Sequence, residues 1–244
     1  MSATTEEPQK TYIPGFGYSW LLPLYDPLQK LLGFDSYHRQ LVDQAKLRPG
    51  HRILEIGCGT GNLLILIKRL HPQIEVIGLD PDPKALARAR RKAERFMLPV
   101  QLDRGFAQEL PYPDTSFDRV FSSLMFHHLG PDEKEHTLRE VWRVLKPIGS
   151  LHLLDFGGAM MRSDGFTARL SHRSELLRDN FGERIPTLMR EAGFADPTEV
   201  GHRVSKVLGR ITYLGRITYY RATMPRAESG TAKRDAGPCK KARK

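Results

Sequence analysis

LEIGCGTGNL, residues 54–63, sets three glycines at alternate positions directly behind a short apolar run. The run RILEI (52–56) reads as a strand. NLLILIKRL (62–70) is apolar almost all round, as a helix buried against a sheet must be. A strand, a glycine turn and a buried helix in that order bring backbone close to a ligand.

The same alternation continues down the chain. IEVIGLD (74–80) is strand-like, and KALARARRKAERF (84–96) is a basic helix with Leu86, Ala89, Ala93 and Phe96 on one side. PVQLDRG (99–105) and FDRVFSSL (117–124) read as the third and fourth strands. PDEKEHTLREVWRVLK (131–146) is a helix with an early proline, acids in its first turn, and Leu138, Val141, Trp142 and Leu145 on one face. GSLHLLDF (149–156) is the fifth strand. Such spacing predicts an α/β fold, a doubly wound and mostly parallel sheet whose ligand sits at the carboxyl ends of the strands.

The flanks differ. YIPGFGYSWLLPLYDPLQKLLG (12–33) is aromatic, and Pro14, Pro23 and Pro27 break any single helix. Next comes a helical stretch, SYHRQLVDQAKLRPG, carrying Leu41, Val42, Ala45 and Leu47. Beyond residue 158 the pattern gives helices ending at Gly193 and then two strands. The second region holds a near-tandem hexamer, GRITYL (209–214) and GRITYY (215–220), too short for a solenoid. The chain therefore divides into an N-terminal cap (1–46), a ligand-binding core (47–157), a region completing the same domain (158–224) and a basic tail (225–244).

Bulk properties narrow the function classes. With 244 residues, 40% hydrophobic and 27% charged, the chain can bury one large core. The opening MSATTEEPQK is acidic and polar, unlike a secretory signal, and only Cys58 and Cys239 are present. A reducing compartment, the cytoplasm, is expected. The net charge is +10, of which the tail supplies half through seven Lys/Arg against Glu228 and Asp235. Charge alone therefore identifies no partner, and the basic helix reads as a solvated face.

The loop itself separates ligand classes. A triphosphate loop needs G-x-x-x-x-G-K-[ST], and no lysine follows here. A dinucleotide loop needs G-x-G-x-x-G, but the sixth position from Gly57 is Asn62 and the pattern is G-x-G-x-G. Glu55 at the mouth would repel a pyrophosphate and attract a cation. Asp80 closes the second strand, where a carboxylate accepts ribose hydroxyls. A ligand with a ribose, an ammonium and no phosphate fits both, and S-adenosylmethionine is such a molecule.

At this point ILEIGCGTGN, VIGLDPD (76–82), GFAQELPYPDTSFDRVFSSLMFHHL (105–129) and EVWRVLKPIGSLHLLDF (140–156) together resemble the class I S-adenosylmethionine-dependent methyltransferases. The match covers residues 47–156, with a looser one in LMREAGF (188–194), and is most similar to the enzymes of quinone and phospholipid biosynthesis. It implies a Rossmann-like, seven-stranded sheet with its last strand antiparallel, under an N-terminal aromatic cap. It also implies roles: Gly57, Gly59 and Gly61 under the cofactor with Asn62 beside them, and Glu55 near its amino-acid end. Asp80 would meet the ribose, Pro81 and Asp82 the adenosine, Ala107 the adenine edge and Ser122 the methionine portion. Two positions depart from the pattern. Phe106 stands where GDA members have an acid, with Gln108 as the substitute polar contact, and Ile148 stands in the usual KPGG turn.

Methyl transfer from an activated donor relies on alignment and desolvation, and on a base only where the acceptor loses a proton. His127 and His128 follow the fourth strand, as a base or as orienting groups, or simply as a packed ring and a loop cap. Tyr18 and Tyr25 belong to the cap, where they line the pocket or only pack. The acceptor expected is a small hydrophobic molecule, a quinone precursor or lipid amine, with peripheral membrane contact in its range. Two alternatives remain at this stage: a nucleic-acid methyltransferase using the tail, and a non-catalytic cofactor binder. Against the first, SSLMF carries no proline and the Pro238-Cys239 pair lies in the tail. A nicotinamide oxidoreductase fits Glu55 and Asn62 poorly, and His127, His128, Asp132 and His136 have no metal-ligand spacing.

Overall fold

A computed structural model describes residues 33–158, 180–204 and 216–225. Tyr18 and Tyr25, the first copy of the hexamer and the basic tail after Pro225 lie outside the described residues.

Helix α1 (Phe34–Gln44) precedes β1 (Arg52–Ile56), α2 (Asn62–Leu70), β2 (Glu75–Asp80) and α3 (Pro83–Arg95). Then come β3 (Gln101–Arg104), β4 (Phe117–Ser123), a 3-10 turn (Phe126–His128), α4 (Pro131–Val144) and β5 (Leu145–Phe156). Helix α5 (Arg184–Glu191), β6 (Ala195–Val204) and β7 (Arg216–Thr223) complete the described elements. The strands form one seven-stranded sheet in the order β3-β2-β1-β4-β5-β7-β6. β1 to β5 pair in parallel, and β7 runs antiparallel between β5 and β6. This is the Rossmann-like sheet expected, and residues 216–220 of the second hexamer copy lie in it, within β7.

Strand order reverses between β1 and β4, the place in such sheets where ligands bind beyond the carboxyl ends. Alternate side chains feed two cores. Leu54, Ile56, Val120, Leu151 and Leu153 pack with α4 and α5 through Leu138, Val141, Ile185 and Met189. Ile53, Val76, Phe121 and Leu154 pack on the other side against Leu41, Leu63, Ile67 and Leu86 of α1, α2 and α3. Each of these fully buried aliphatic side chains is worth roughly 1.5–3 kcal/mol, so burial on both faces fixes strand register.

Helix starts are set locally. The Asp82 carboxylate accepts the Lys84 N–H at 2.8 Å, with Pro83 in the first turn. Glu133 reaches back to accept the Gly130 N–H at 2.8 Å, ahead of Pro131. Three local expectations fail. Helix α4 ends at Val144 rather than Lys146, because Leu145 turns extended and pairs with Phe117. Trp142 is 38% exposed, its indole N–H donating to the Gly193 carbonyl, and Val144 takes its place in the core. Phe96 follows the end of α3, 45% exposed, with Arg69 over its ring. No helix among the described residues is long and apolar enough to cross a membrane.

Ile148, 84% exposed, holds a left-handed φ of 65° in the irregular stretch of β5 between Leu145 and Ser150. A β-branched residue there costs about 1–2 kcal/mol, partly offset by the entropy that glycine loses on folding. Ile148→Gly should therefore stabilise the protein by about 0.5–1 kcal/mol, read as a rise of about 1–4 °C in Tm.

Candidate active site

β1 ends in a turn that depends on its glycines. Gly57, Gly59 and Gly61 have φ of 66°, 52° and 78°. A Cβ on Gly57 would stand 2.3 Å from Met125 Cγ, whereas one on Gly59 would meet nothing within 4 Å. The first glycine thus admits the β4 turn, and the second leaves open space above the loop. Gly61 opens α2, where a Cβ would press to 3.0 Å from Ala89 of α3.

Asp80, at the end of β2, pins this loop. Its Oδ2 accepts the Gly59 N–H at 2.8 Å and its Oδ1 the Asp82 N–H at 2.9 Å. Burial pushes this carboxyl up to about 6, against the pull of those two N–H groups. Glu55, 2% exposed, is held well above the usual carboxylate range, first by burial and then by Asp80. The Leu64 N–H and the Lys92 ammonium act in the opposite direction. Lys92 of α3 donates to Asn62 Oδ1 at 2.5 Å and Thr60 Oγ1 at 3.2 Å, tying the loop to the next helix.

Glu55 Oε2 is buried without a hydrogen-bond partner, and so is Ser122 Oγ near the end of β4. An unmet buried polar atom costs about 1–3 kcal/mol, so two beside one glycine loop suit a polar ligand there. The ligand expected from the sequence, carrying an ammonium and a ribose, fits this set. A cation offsets the two carboxyls, and each Asp80 oxygen keeps a second lone pair for a hydroxyl.

The remaining expected residues are partly committed elsewhere. The Asp82 side chain caps α3 and is not a free carboxylate. Pro81 is half-buried, its carbonyl accepting from Arg104 Nε at 3.3 Å. Phe106 is half-buried and Ala107 buried in the core under β1 and β2. Gln108 donates its Nε2–H to Glu133 at 3.0 Å, leaving its side-chain carbonyl available.

His127 and His128 stand on the 3-10 turn with ring centroids 4.0 Å apart. His128 is lowered to about 4, first by burial and then by His127, and its Nδ1 is buried without a partner. His127 Nδ1 lies 2.7 Å from Asp155 Oδ1, and its backbone N–H donates to Asp155 Oδ2 at 3.2 Å. From α1, His38 Nε2 meets Ser123 Oγ at 3.0 Å. Tyr25, also expected at the site, falls outside the described residues.

Sequence reasoning missed Asp155, Met125, Lys92 and Glu133. Asp155 carried the same signal as Asp80, an acid closing an apolar strand. Lys92 gave none, since its partners lie some thirty residues away across a helix pair.

Comparison with known proteins agrees with this geometry. A family model described as "Methyltransferase domain" matches residues 53–149. A demethylmenaquinone methyltransferase of Thermus thermophilus is 34% identical over 202 residues, covering 73% of this chain and 91% of that protein. One from Symbiobacterium thermophilum is 34% identical over 204 residues, covering 70% and 80%. Among solved structures, the YcgJ protein of Bacillus subtilis superposes with a TM-score of 0.64 at 19% identity, over 78% of this chain and 98% of its own, a likeness of fold.

Gly57→Ala should cost about 1–3 kcal/mol of stability through overlap with Met125, beyond the backbone strain. Adding Met125→Ala should recover the overlap part, seen in thermal unfolding of the single and double variants.

Proposed function

The chain belongs to the class I S-adenosylmethionine-dependent methyltransferases, and from that premise we propose that it methylates a hydrophobic quinone-type acceptor in its reduced, hydroxylated form. Similarity along most of the Thermus thermophilus demethylmenaquinone methyltransferase carries this acceptor class. The glycine loop with its two buried carboxyls supports the cofactor assignment.

When bound, S-adenosylmethionine supplies an electrophilic methyl group on a sulfonium. The residues assigned to hold it are Gly57, Gly59, Gly61 and Asn62 in the loop, with Glu55 toward the ammonium. Asp80 takes the ribose hydroxyls. Pro81 and the α3 start capped by Asp82 flank the adenosine, Phe106 and Ala107 line the adenine side, and Gln108 offers its carbonyl to the amino group. Ser122 lies under the methionine portion, and His127 and His128 face the acceptor from the β4 turn. Holding both partners in line removes most of the entropic barrier, and Met125 over Gly57 and Phe156 against His127 give the site apolar surface.

The free, buried Cys58 in the loop fits a reducing compartment such as the cytoplasm. A prenylated acceptor would be met at a membrane surface, so peripheral contact is part of this reading.

Calorimetric titration with S-adenosylmethionine tests the cofactor residues. Asp80→Ala loses hydrogen bonds to a charged group worth roughly 1.5–3 kcal/mol, so affinity should fall about 10- to 150-fold. Because burial raises Asp80 to about 6, its accepting, ionised form is lost as pH falls through that value. Wild-type affinity should be flat above about pH 7 and decline toward pH 5. Turnover of a reduced short-chain 2-prenyl-1,4-naphthoquinone is expected, and preference for RNA or protein would overturn the acceptor reading.

A further inference from the structure

Asp155 is wholly buried at the end of β5, yet the glycine-loop chemistry makes no use of it. Its oxygens meet three donors. Oδ1 accepts the Phe156 N–H at 2.7 Å and faces His127 Nδ1 at 2.7 Å, while Oδ2 accepts the His127 N–H at 3.2 Å. Two of these donors are backbone N–H groups, and a carboxylate is an acceptor only. The proton on the 2.7 Å bond therefore belongs to His127 Nδ1, which leaves Nε2 with its lone pair in the neutral ring.

The ring is also fixed in space. Phe156 meets it edge-on at 5.0 Å, and the His128 ring lies 4.0 Å away. Burial holds His128 below its ordinary range, so that ring adds no positive charge beside His127. Among the described residues Nε2 has no partner, and 12% of the side chain reaches solvent. Met125, two residues earlier, packs over Gly57, which sets this turn beside the cofactor loop.

We infer that Asp155 is the positioning residue of a His127–Asp155 dyad in which His127 Nε2 is the general base toward a hydroxylated acceptor. This deepens the proposed function and rests on it for the acceptor. The acceptor hydroxyl gives its proton to Nε2 as the ring carbon ortho to it, or the oxygen itself, forms the bond to the methyl group. The carbon–sulfur bond of the donor breaks with its electron pair left on sulfur, and S-adenosylhomocysteine departs. His127 becomes imidazolium beside the Asp155 anion, then returns its proton to water through its exposed edge. On the carbon route, the remaining ring hydrogen is lost to water as aromaticity returns, and the oxygen, left as an aryloxide, regains a proton from water.

Two measurements on the full chain test the dyad separately from the acceptor. Nitrogen NMR of ¹⁵N-histidine-labelled protein reads the tautomer without any acceptor. Wild type at pH 8 should show His127 protonated at Nδ1 and bare at Nε2, with Asp155→Asn giving mixed or reversed protonation. A wild-type His127 protonated at Nε2 overturns the proposal. With the reduced 2-prenyl-1,4-naphthoquinone as probe, Asp155→Asn and His127→Gln should each lower kcat by about 10²- to 10⁴-fold. Acceptor KM and S-adenosylmethionine affinity should stay within about twofold, and the double variant should lose no more than either single one. Wild-type kcat should also rise with pH along a single ionisation that His127→Gln removes. A kcat unchanged in either variant, or one that falls only in step with Tm and cofactor affinity, overturns the dyad. A wild type inactive on this probe overturns the acceptor class instead, and the tautomer measurement then decides the dyad.

Discussion

Asp80 is the residue through which the site's parts are joined. One carboxylate at the end of β2 fastens the glycine loop through Gly59 and the start of α3 through Asp82. The loop follows β1 and the helix follows β2, so the side chain locks two consecutive strand-to-helix turns at a common height. Its buried position makes ionisation costly, and the two backbone donors offset part of that cost. The same oxygens remain able to accept hydroxyls, so under the proposed function the group that shapes the loop would also read the ligand. A substitution at Asp80 acts on both roles together, which is why its stability and binding effects have to be measured side by side.

The sequence revealed the sheet because its information is local. RILEI before three glycines and NLLILIKRL after them admit only a buried strand and a buried helix, and those elements lie where the pattern put them. Misreadings came where tertiary contact overrides spacing. Trp142 has helical phase with Leu138 and Val141, yet its indole N–H reaches the Gly193 carbonyl and stays near solvent. Leu145 continues the helical pattern, but strand pairing with Phe117 draws it into β5.

Site residues divide the same way. Asp80 and the glycines were legible because the loop they build needs those residue types at fixed places. Asp155 ends an apolar strand as Asp80 does, but its partner His127, 28 positions earlier, came within hydrogen-bond distance only when the sheet brought β4 and β5 together. The Asn62–Lys92 bond and the Gln108–Glu133 bond likewise depend on helix packing, which no spacing rule encodes. Met125 could not be read at all. Its role is to fill the space that Gly57 leaves, visible only from a Cβ that would collide with it.

The electrostatics of the two halves of the site point to a division of labour. Glu55 and Asp80 place acidic groups in low-dielectric surroundings beside the loop, where they favour a cationic donor. That donor's charge is lost as its methyl group leaves, so attraction to buried carboxyls is stronger before transfer than after it. Such groups serve binding more than rate, because only interactions that strengthen toward the transition state accelerate a reaction. On the acceptor side charge develops in the opposite sense, since a hydroxyl losing its proton becomes a stronger nucleophile. A neutral imidazole backed by a buried carboxylate strengthens its hold on the proton as transfer proceeds. Under the proposed function, rate enhancement beyond alignment is therefore sought at the ends of β4 and β5, and cofactor affinity at the ends of β1 and β2.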